Sequence, residues 1–338
     1  MGISVQNITR PGAVLQSGNN TQIGTSPSGT NPQALHIEQY GGEIEGTIAR
    51  KSIMRNFIPV RSIKGTSTIS NFQIGESALS KVTPGTAPDG TVVQAQKVKL
   101  TVDTLINARS MVPLLDDFQN SYDARMAIGQ EHGKKFAKFI DQAFMIQAIK
   151  AAQITDMSGY PAGWQPGTQK TFATAGLESD PSALEDMFGQ LFADMEEKDV
   201  DPLTDDVVIV MRPKSYYALL QNDRLVDRTF ILSDGTEIKT KSLNVYGAPV
   251  YVSNNLPNTQ ITGHYLSNAG NGNAFDGDFS NVVASVFSPR ALLAGETIPL
   301  TPDVFYDPIT KMWYIDAHTS FGVTTNNPVF AGVVKKAA

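Results

Sequence analysis

The chain has no cysteine, and this absence excludes several kinds of site at once. Without thiols there is no disulfide scaffold, no zinc site with thiolate ligands and no cysteine nucleophile. Long apolar runs are also missing, since none approaches the roughly 18 residues that predict a membrane-spanning helix. The first residues, MGISVQ, lack the basic and apolar regions of a signal peptide, and Gln6 replaces the Ser or Thr of a myristoylation pattern. We therefore expect a protein made in a cytoplasm, with no membrane partner.

Charged residues are few for a chain of 338 residues: they make up 18%, against about 25% in typical globular proteins. The net charge is −6, and no long block of Lys or Arg occurs. Because sequence readers of nucleic acid depend on neutralising phosphates, this balance weighs against such a function, although not against a shell that encloses nucleic acid. The low charge content has two open explanations: uncharged polar residues in loops, or a surface that other subunits cover.

Motifs for catalysis and for metal binding are lacking as well. The four histidines are far apart, and none has a partner at the spacing of metal ligands; they are His36, His132, His264 and His318. The segment GQEHGKK has the wrong glycine spacing for a phosphate loop, and GNGNAF lacks the third glycine of a dinucleotide fingerprint. Asp276 and Asp278 lie in a loop, where a solvated turn is a better interpretation than a weak cation site. We therefore predict no catalytic residues, no metal ligands and no cofactor.

The first 35 residues are rich in Gly, Ser, Thr, Asn, Gln and Pro, and their few apolar residues follow no clear period. This composition is typical of an arm that is either disordered on its own or ordered on a partner. Residues 36–58 show the spacing of a short amphipathic helix, which three glycines weaken.

The segment VRSIKGTSTISNFQIGESALSKVTPG, residues 60–85, has the β-branched and aromatic residues of a strand. On one face Thr66, Thr68 and Ser70 precede Phe72 and Ile74, and on the other Ser67, Asn71 and Gln73 flank the single apolar residue Ile69. Neither face therefore has the pattern of a strand that packs on the core of its own domain. After a turn-rich patch, VKLTVDTLINA alternates strictly and predicts a second strand. Two strands around a Pro- and Gly-rich tip predict a long hairpin. Since an isolated hairpin is marginally stable in water, it needs a surface to lie on.

A long helix is predicted from about Asp116 to Ala152, where apolar residues recur every three or four positions. Its predicted core residues are Phe118, Tyr122, Met126, Phe136, Ile140 and Phe144. Gly129 and Gly133 lie on the same stripe, so they either let another backbone approach closely or break the helix into two. A second helix is predicted to begin at Pro181, and apolar strands with a further helix then form a compact α+β unit.

The order of these parts resembles the subunit plan of tailed-phage major capsid proteins with the HK97-like fold, which is an α+β fold. Shorter segments are similar to the major capsid proteins of T7-like short-tailed phages: VRSIKGTSTISNFQIGESALSKVTPG, HGKKFAKFIDQAFMIQAIKAA, VVIVMRPKSYYALL and NVYGAPVYVSNNLP. The resemblance covers most of the chain from about Tyr40 onward.

The resemblance implies a division of the chain into six segments. These are an N-terminal arm (1–35), a short helical segment (36–58), an extended β-hairpin or E-loop (59–112), the spine helix with the start of the peripheral domain (113–205), the axial domain with returning strands (206–300) and the C-terminal strands of the peripheral domain (301–338). It also implies that the hairpin contacts a neighbouring subunit. The residues expected in that contact are Arg61, Ile69, Phe72, Ile74, Val82 and Pro84.

The function that the resemblance implies is structural. Copies of the chain would assemble, as hexamers and pentamers, into the icosahedral shell around the double-stranded DNA of a tailed bacteriophage. The expected location is the virion, after assembly in the bacterial cytoplasm. A separate scaffolding protein and a portal protein at one vertex are the implied partners, and a decoration protein stays open. Two alternatives remain: an encapsulin-like nanocompartment shell protein of the same fold, or an enzyme or binding module with a long interaction loop.

Overall fold

A computed structural model of the chain describes residues 52–77, 79, 81–82, 85, 90, 92–119, 124–222, 230–231, 237–238 and 243–337. The predicted arm and residues 36–51 of the predicted helical segment therefore lie outside the described residues. Among the residues that are described, no helix has the length and apolar character that crossing a membrane requires.

The elements follow one another in a mixed α and β order. The helices are α1 (Met54–Phe57), α2 (Leu114–Gln119), α3 (Ala124–Gln153), α4 (Pro181–Glu196) and α5 (Pro213–Leu219). The strands of the first half are β1 (Val60–Ser62), β2 (Thr68–Ile74), β3 (Ala95–Thr101), β4 (Ile106–Pro113), β5 (Thr168–Thr171) and β6 (Val208–Met211). The later strands are β7 (Phe230–Ile231), β8 (Glu237–Ile238), β9 (Asn244–Val245), β10 (Ala248–Val252), β11 (Gln260–Ile261), β12 (Gly277–Asp278), β13 (Val282–Phe287), β14 (Leu292–Asp307), β15 (Met312–Thr325) and β16 (Ala331–Lys335).

The contacts within the chain divide it into two compact units. Among the described residues, the first unit holds Ser52, those that fall within Asp103–Ile140, and Glu296–Phe321. The second unit holds the described residues that fall within 53–102, 141–295 and 322–337. The boundaries of the units fall inside α3, β14 and β15, so they do not coincide with the segment ends expected from the sequence.

The second unit is built on a six-stranded sheet with the order β5-β16-β13-β6-β10-β9. Every residue of β6 and β13 is buried, which explains why neither strand alternates between apolar and polar residues; the one polar residue in them is the buried Ser285. At one end of this order lie β5 and, beside it, β16. The division expected from the sequence placed β5 in segment 113–205 and β16 in segment 301–338, not in segment 206–300. The C-terminal strand β16 pairs with β13 in antiparallel and with β5 in parallel orientation.

Helix α4 covers this sheet with one apolar face. Its buried residues are Leu184, Phe188, Leu191, Phe192 and Met195, spaced three and four positions apart. The helix begins at Pro181, as the sequence predicts, and the side chain of Asp180 accepts a hydrogen bond from Ser182 N. Proline is favoured at the first helical position because a backbone N–H there has no acceptor within the helix. The absence of this N–H in proline therefore costs no hydrogen bond.

A buried carboxylate fixes the start of α1 in the second unit. Asp141 is fully buried, and its Oδ1 accepts hydrogen bonds from Ile53 N at 3.2 Å and Met54 N at 3.1 Å. Its other oxygen accepts a hydrogen bond from Asn255 Nδ2 at 3.2 Å. The carboxylate thus supplies acceptors to N–H groups at the beginning of a short helix that has no side-chain cap of its own.

In the first unit, β4 pairs antiparallel with β15, from Ile106 opposite Thr319 to Pro113 opposite Met312. The core beside this pair contains Val112, Phe136, Ala137, Val304, Trp313, Ile315 and Ala317. The single strand predicted from VKLTVDTLINA is wrong, because β3 ends at Thr101 and β4 begins at Ile106. The alternation continues across the gap, but β3 and β4 pair with different strands and belong to different sheets.

Helix α3 is continuous over 30 residues, or about 45 Å. It passes unbroken through Gly129 and Gly133, both of which are buried, so the alternative of a break at these glycines is wrong. Phe136, Ile140 and Phe144 are buried. Tyr122 and the side chains of Phe118 and Met126 lie outside the described part of the chain.

The buried stripe of α3 generates the first prediction. Phe136→Asp or Ile140→Asp places a carboxylate in the core, and each should lower the free energy of unfolding by about 4 kcal/mol or more. Lys138 is exposed on the same turn, so Lys138→Ala is the matched control and should change this free energy by less than about 0.5 kcal/mol. Soluble yield and urea unfolding measure the effect. Equal losses in all three variants would show that the buried face is assigned incorrectly.

A buried histidine lies on α3 in the same unit. His132 is 5% exposed, and its Nε2 lies 2.8 Å from Ser110 Oγ on β4. Burial, with a smaller contribution from the charge of Lys135, lowers the pKa of His132. The fold therefore favours the neutral ring, so this residue's contribution to stability is present above the pKa of unfolded histidine, about 6.5, and is lost as the pH falls below it.

The lowered pKa of His132 leads to the second prediction. Between pH 7 and pH 5 the melting temperature should fall, and the fall should be smaller in His132→Gln, which has no ring to protonate. Part of the dependence should persist because burial also lowers the pKa of His264. Scanning calorimetry at several pH values makes the comparison. A pH dependence identical in the two proteins would contradict the assignment.

Candidate assembly surface

Strands β2 and β3 form an antiparallel ribbon that pairs with no further strand among the described residues. The register runs from Thr68 opposite Thr101 to Ile74 opposite Ala95. Because side chains alternate in a strand, Phe72, Ile74 and Lys97 point to one face and Ile69 points to the other. We call the face with Phe72 the outer face and the face with Ile69 the inner face.

An apolar cluster holds the inner face where the hairpin begins. Ile63, Leu100, Val102 and Leu293 are buried together, and Ile69 and Val98 pack against them. The approach is close at Gly322, since a Cβ there would lie 3.2 Å from side-chain atoms of Leu100 and of Val102. The root of the hairpin is therefore packed against the rest of the second unit, to which it belongs.

Polar side chains continue the inner face beyond this cluster. Asn71 Nδ2 donates a hydrogen bond to Asn326 Oδ1 at 2.9 Å, and Gln73 Nε2 donates one to the backbone oxygen of Asn326 at 2.5 Å. Gln73 is only 2% exposed. The expectation that the subunit covers neither face of this strand is therefore wrong for the inner face. The inner face is buried through hydrogen bonds, which a search for apolar alternation does not detect.

A tryptophan fastens the end of β2 to a loop of the second unit. Trp164 Nε1 donates a hydrogen bond to the backbone oxygen of Ile74 at 3.1 Å, and Glu76 N donates one to Ala162 O at 3.0 Å. Neither Trp164 nor Asn326 is among the contact residues predicted from the sequence. The sequence does contain an indication that Trp164 makes a specific contact, since it is one of only two tryptophans and lies in a turn-dense segment. The sequence contains no such indication for Asn326, because this residue lies more than 250 positions from its hydrogen-bond partners.

The outer face has no cover in the described part of the chain. Phe72 is 65% exposed and Ile74 is 68% exposed. The ammonium group of Lys97 lies 4.5 Å from the centre of the Phe72 ring, as in a cation–π contact. The apolar exposure continues beyond the ribbon at Leu79, Val82, Val92 and Val93, which are between 40% and 99% exposed. Exposed apolar side chains are thus concentrated on the hairpin, and such a concentration indicates a candidate interaction surface.

The residues expected in the inter-subunit contact take different positions. Phe72, Ile74 and Val82 are exposed apolar residues, and Arg61 is exposed on β1. Ile69 is half-buried on the cluster of its own subunit, and Pro84 lies outside the described residues. Their contact with a neighbouring subunit stays a prediction.

The loop that contains Asp276 is organised as a turn. The carboxylate of Asp276 accepts hydrogen bonds from Ser267 Oγ at 2.7 Å, Gly263 N at 2.8 Å and His264 N at 3.0 Å. The hydroxyl of Ser267 and then these backbone groups lower the pKa of Asp276. Across the described ranges, no group of three acidic or histidine side chains is arranged to hold a metal ion.

A model of the family of Gp10A-like major capsid proteins matches residues 83–294, which is more than half of the chain. The chain belongs to this family. A Gp10A-like protein is a structural subunit of a phage shell, and the hairpin and the unit with the six-stranded sheet both contribute to the matched range.

Similarity to known capsid proteins, in sequence and in structure, supports membership of this family. The major capsid protein of Escherichia phage T7 is 27% identical over 135 residues, and the match spans 39% of this chain and 39% of that relative. The capsid of Cyanophage P-SCSP1u superposes with a TM-score of 0.70 at 19% identity, covering 85% of this chain and 88% of that chain. The mature capsid of bacteriophage PhiM1 gives a TM-score of 0.70 at 22% identity, with coverage of 85% and 87%. These similarities show that this Gp10A-like chain has the HK97-like fold.

A virus-like particle from Pyrococcus furiosus is also similar, although more distantly. Its TM-score is 0.51 at 13% identity, and the superposition covers 87% of this chain and 96% of that chain. The architecture is thus shared by shell proteins outside the phages, and the fold alone does not separate the two kinds of shell.

The third prediction concerns the anchor of the hairpin. Trp164→Phe keeps the aromatic ring but removes the N–H that donates to Ile74 O, a loss of about 1 kcal/mol. Amide exchange at Gln73 and Gly75 should become roughly fivefold faster, while the melting temperature should fall by only about 2 °C because the unfolding entropy of so long a chain is large. Tyr217→Phe, which removes an exposed polar group elsewhere in the second unit, is the control. Unchanged exchange at the hairpin in Trp164→Phe would contradict the anchoring role.

Proposed function

We propose that the chain is the subunit of an icosahedral phage shell and that its hairpin is the main contact between neighbouring subunits. The observation that supports this is the difference between the two faces of the ribbon. The inner face is anchored by Gln73, Leu100 and Val102, whereas Phe72 and Ile74 on the outer face are open. A neighbouring subunit that covers the outer face would bury these side chains.

The stability that such contacts give to a shell depends on their number. Each Phe, Ile, Leu or Val side chain that passes from full exposure to full burial contributes about 1.5–3 kcal/mol. Immobilising two subunits offsets much of this gain, so one hairpin contact is weak. In a closed ring every subunit gives one contact and receives one, and the assembly gains from all of them together. Hexamers and pentamers built in this way form the shell that we propose.

The partners follow from the same proposal. The shell encloses double-stranded DNA without reading its sequence, consistent with a net charge of −6 and no long basic block. A separate scaffolding protein guides assembly, and a portal protein occupies one vertex. Assembly takes place in the bacterial cytoplasm, and the mature location is the virion. Membership of a capsid protein family favours this interpretation over an enzyme or a binding module.

A nanocompartment is the second candidate because the Pyrococcus furiosus particle has a similar fold. The two functions differ in the contents of the shell. Particles isolated from infected cells and treated with nuclease should retain protected double-stranded DNA if the phage function is correct. Particles that hold protein cargo and no DNA would support the nanocompartment.

The fourth prediction tests the hairpin itself. Replacing Ser80–Thr91 by a short Gly-Ser turn should leave the circular dichroism and the melting temperature near native, because the anchored residues remain and loop closure depends weakly on length. When this variant is coexpressed with the scaffolding protein of the same phage, few or no closed particles should appear in negative stain. A variant with Gly-Ser repeats of unchanged length separates the effect of length from the effect of side chains.

Two outcomes would overturn this proposal. Normal assembly of the shortened variant would show that the hairpin is not the main contact between subunits. Unfolding of the variant would show that the distal hairpin belongs to the core of its own subunit.

A further inference from the structure

The exposed side of helix α3 carries a concentration of positive charge. Lys134, Lys135 and Lys138 lie within five residues, and no other window of five residues in the chain contains three Lys or Arg. All three lysines are exposed, whereas Phe136 and Ala137 between them are buried. We call these three lysines the lysine face of α3. It stands out in a chain whose net charge is −6.

The geometry of the helix places these lysines on one side. Between residues 127 and 140, the exposed residues of α3 are Ala127, Glu131, Lys134, Lys135 and Lys138. At about 3.6 residues per turn, all five fall on less than about a third of the circumference. The buried residues of the same stretch lie on the opposite side of the helix. Packing in the core of the first unit therefore directs the lysine face outward.

The charges of the lysine face are largely unused within the subunit. Neither Lys135 nor Lys138 has an ion pair or a hydrogen bond in the described part of the chain. Lys134 Nζ lies 3.7 Å from Glu131 Oε2, and both side chains are more than half exposed, so this pair is weak. Other basic side chains are occupied in ion pairs, namely Arg109 with Asp316, Lys170 with Asp194 and Arg290 with Asp205.

The lysine face is not the arrangement that best stabilises a helix. Lys134 and Lys138 are four positions apart, and like charges at this spacing repel each other across one turn. A helix with balanced surface charge would alternate acids and bases, but Glu131 is the single exposed acid from residue 127 to residue 140. Local rules of this kind are broken most often where function requires the residues.

The rest of the first unit has the opposite charge. Apart from the lysine face, residues 103–140 and 296–321 contain nine acidic and three basic residues. A polyanion is therefore repelled by the unit in general and attracted at the lysine face. Because salt screens charges over about 8 Å under physiological conditions, the attraction is confined to direct contact with this face.

We propose that the lysine face of α3 binds phosphate groups of the double-stranded DNA that the shell encloses. This inference rests on the proposed function, since it requires DNA inside the shell. One turn of an α-helix rises about 5.4 Å, and duplex DNA carries about three phosphate charges over that length. Three ammonium groups within little more than one turn match this charge density. Lysine binds phosphate as a flexible point charge and reads no base sequence by doing so.

The contact is weak for each subunit and independent of base sequence. Three phosphate contacts are fewer than the roughly 6–10 of proteins that bind DNA strongly through its backbone. Repeated on every subunit, such contacts hold the outermost DNA beside the shell and still exchange singly. This combination suits a container that must take up its contents and later release them.

Chemical labelling of lysines in particles tests the contact directly. Particles isolated from infected cells are methylated with formaldehyde and a borane reductant, either filled with DNA or after osmotic shock and nuclease have emptied them. Peptide mass spectrometry should show at least about threefold less labelling of Lys135 and Lys138 in filled particles, because phosphates occupy their ammonium groups. Lys311, exposed on the turn between β14 and β15, is the control and should be labelled equally in both.

The outcomes of this experiment separate the inference from the proposed function. Particles that contain no DNA would contradict the proposed function itself. Equal labelling of the lysine face in filled and emptied particles overturns the inference and leaves the shell function intact. If that equal labelling is low, a protein surface and not DNA covers the lysines. Protection of Lys311 to the same extent also overturns the inference, since the effect would not be specific to α3.

The salt dependence of binding provides a second measurement. Purified subunits are titrated with a short fluorescent duplex at several salt concentrations, and anisotropy gives the association constant. Changing Lys134, Lys135 and Lys138 together to Gln should make the slope of log K against log salt less steep by about 2.7, or about 0.9 for each phosphate contact.

A variant with the same net charge is the matched control. Lys64→Gln, Lys214→Gln and Lys311→Gln together remove three charges from other exposed positions, and the slope should change by less than about 1. Circular dichroism of both triple variants should remain native. An equal change of slope in the two variants would overturn the inference. So would an unchanged slope in the lysine-face variant, or no measurable binding of the duplex by the natural chain at low salt.

Discussion

A two-stranded ribbon has two faces and no interior, and the contacts of the hairpin in this protein depend on that constraint. Neither face can be covered by the ribbon itself, so each needs another surface. The subunit covers the inner face through the apolar contacts of Leu100 and Val102 and the hydrogen bond of Gln73 to Asn326. It leaves Phe72 and Ile74 on the outer face exposed. The alternation of side chains thus separates the residues that fold the subunit from those that are available for assembly.

The electrostatics of the second unit follow the same division. Lys198 uses its charge inside the subunit, on the oxygens of residues 166–168, while Glu197 and Asp199 remain exposed at the end of α4. The basic residues of the hairpin lie mainly at its root, at Arg61, Lys64, Lys97 and Lys99.

Long-range pairing organises the core that supports the hairpin. The six-stranded sheet joins β5 and β16, whose residues are far apart in the chain, and Asn326 reaches the hairpin from the segment between β15 and β16. Asp141 is another example, since this buried carboxylate binds backbone N–H groups of residues 53 and 54. These contacts hold the start of α1 and the root of the hairpin to the same unit. A rigid root is a condition for presenting the outer face in one orientation.

The sequence by itself determined the elements whose periodicity is strong and local. The helix through Phe136, Ile140 and Phe144, the start of α4 at Pro181 and the apolar strand β6 follow from spacing, capping and continuous apolar residues. The order of the parts also pointed to the HK97-like fold. Only the tertiary structure decided that Gln73 is buried, that Trp164 and Asn326 anchor the hairpin and that the strand predicted through Val102 divides between two sheets. The physical reason is that a polar residue is buried only where a distant partner satisfies its hydrogen bonds, and no local pattern of residues reveals that partner.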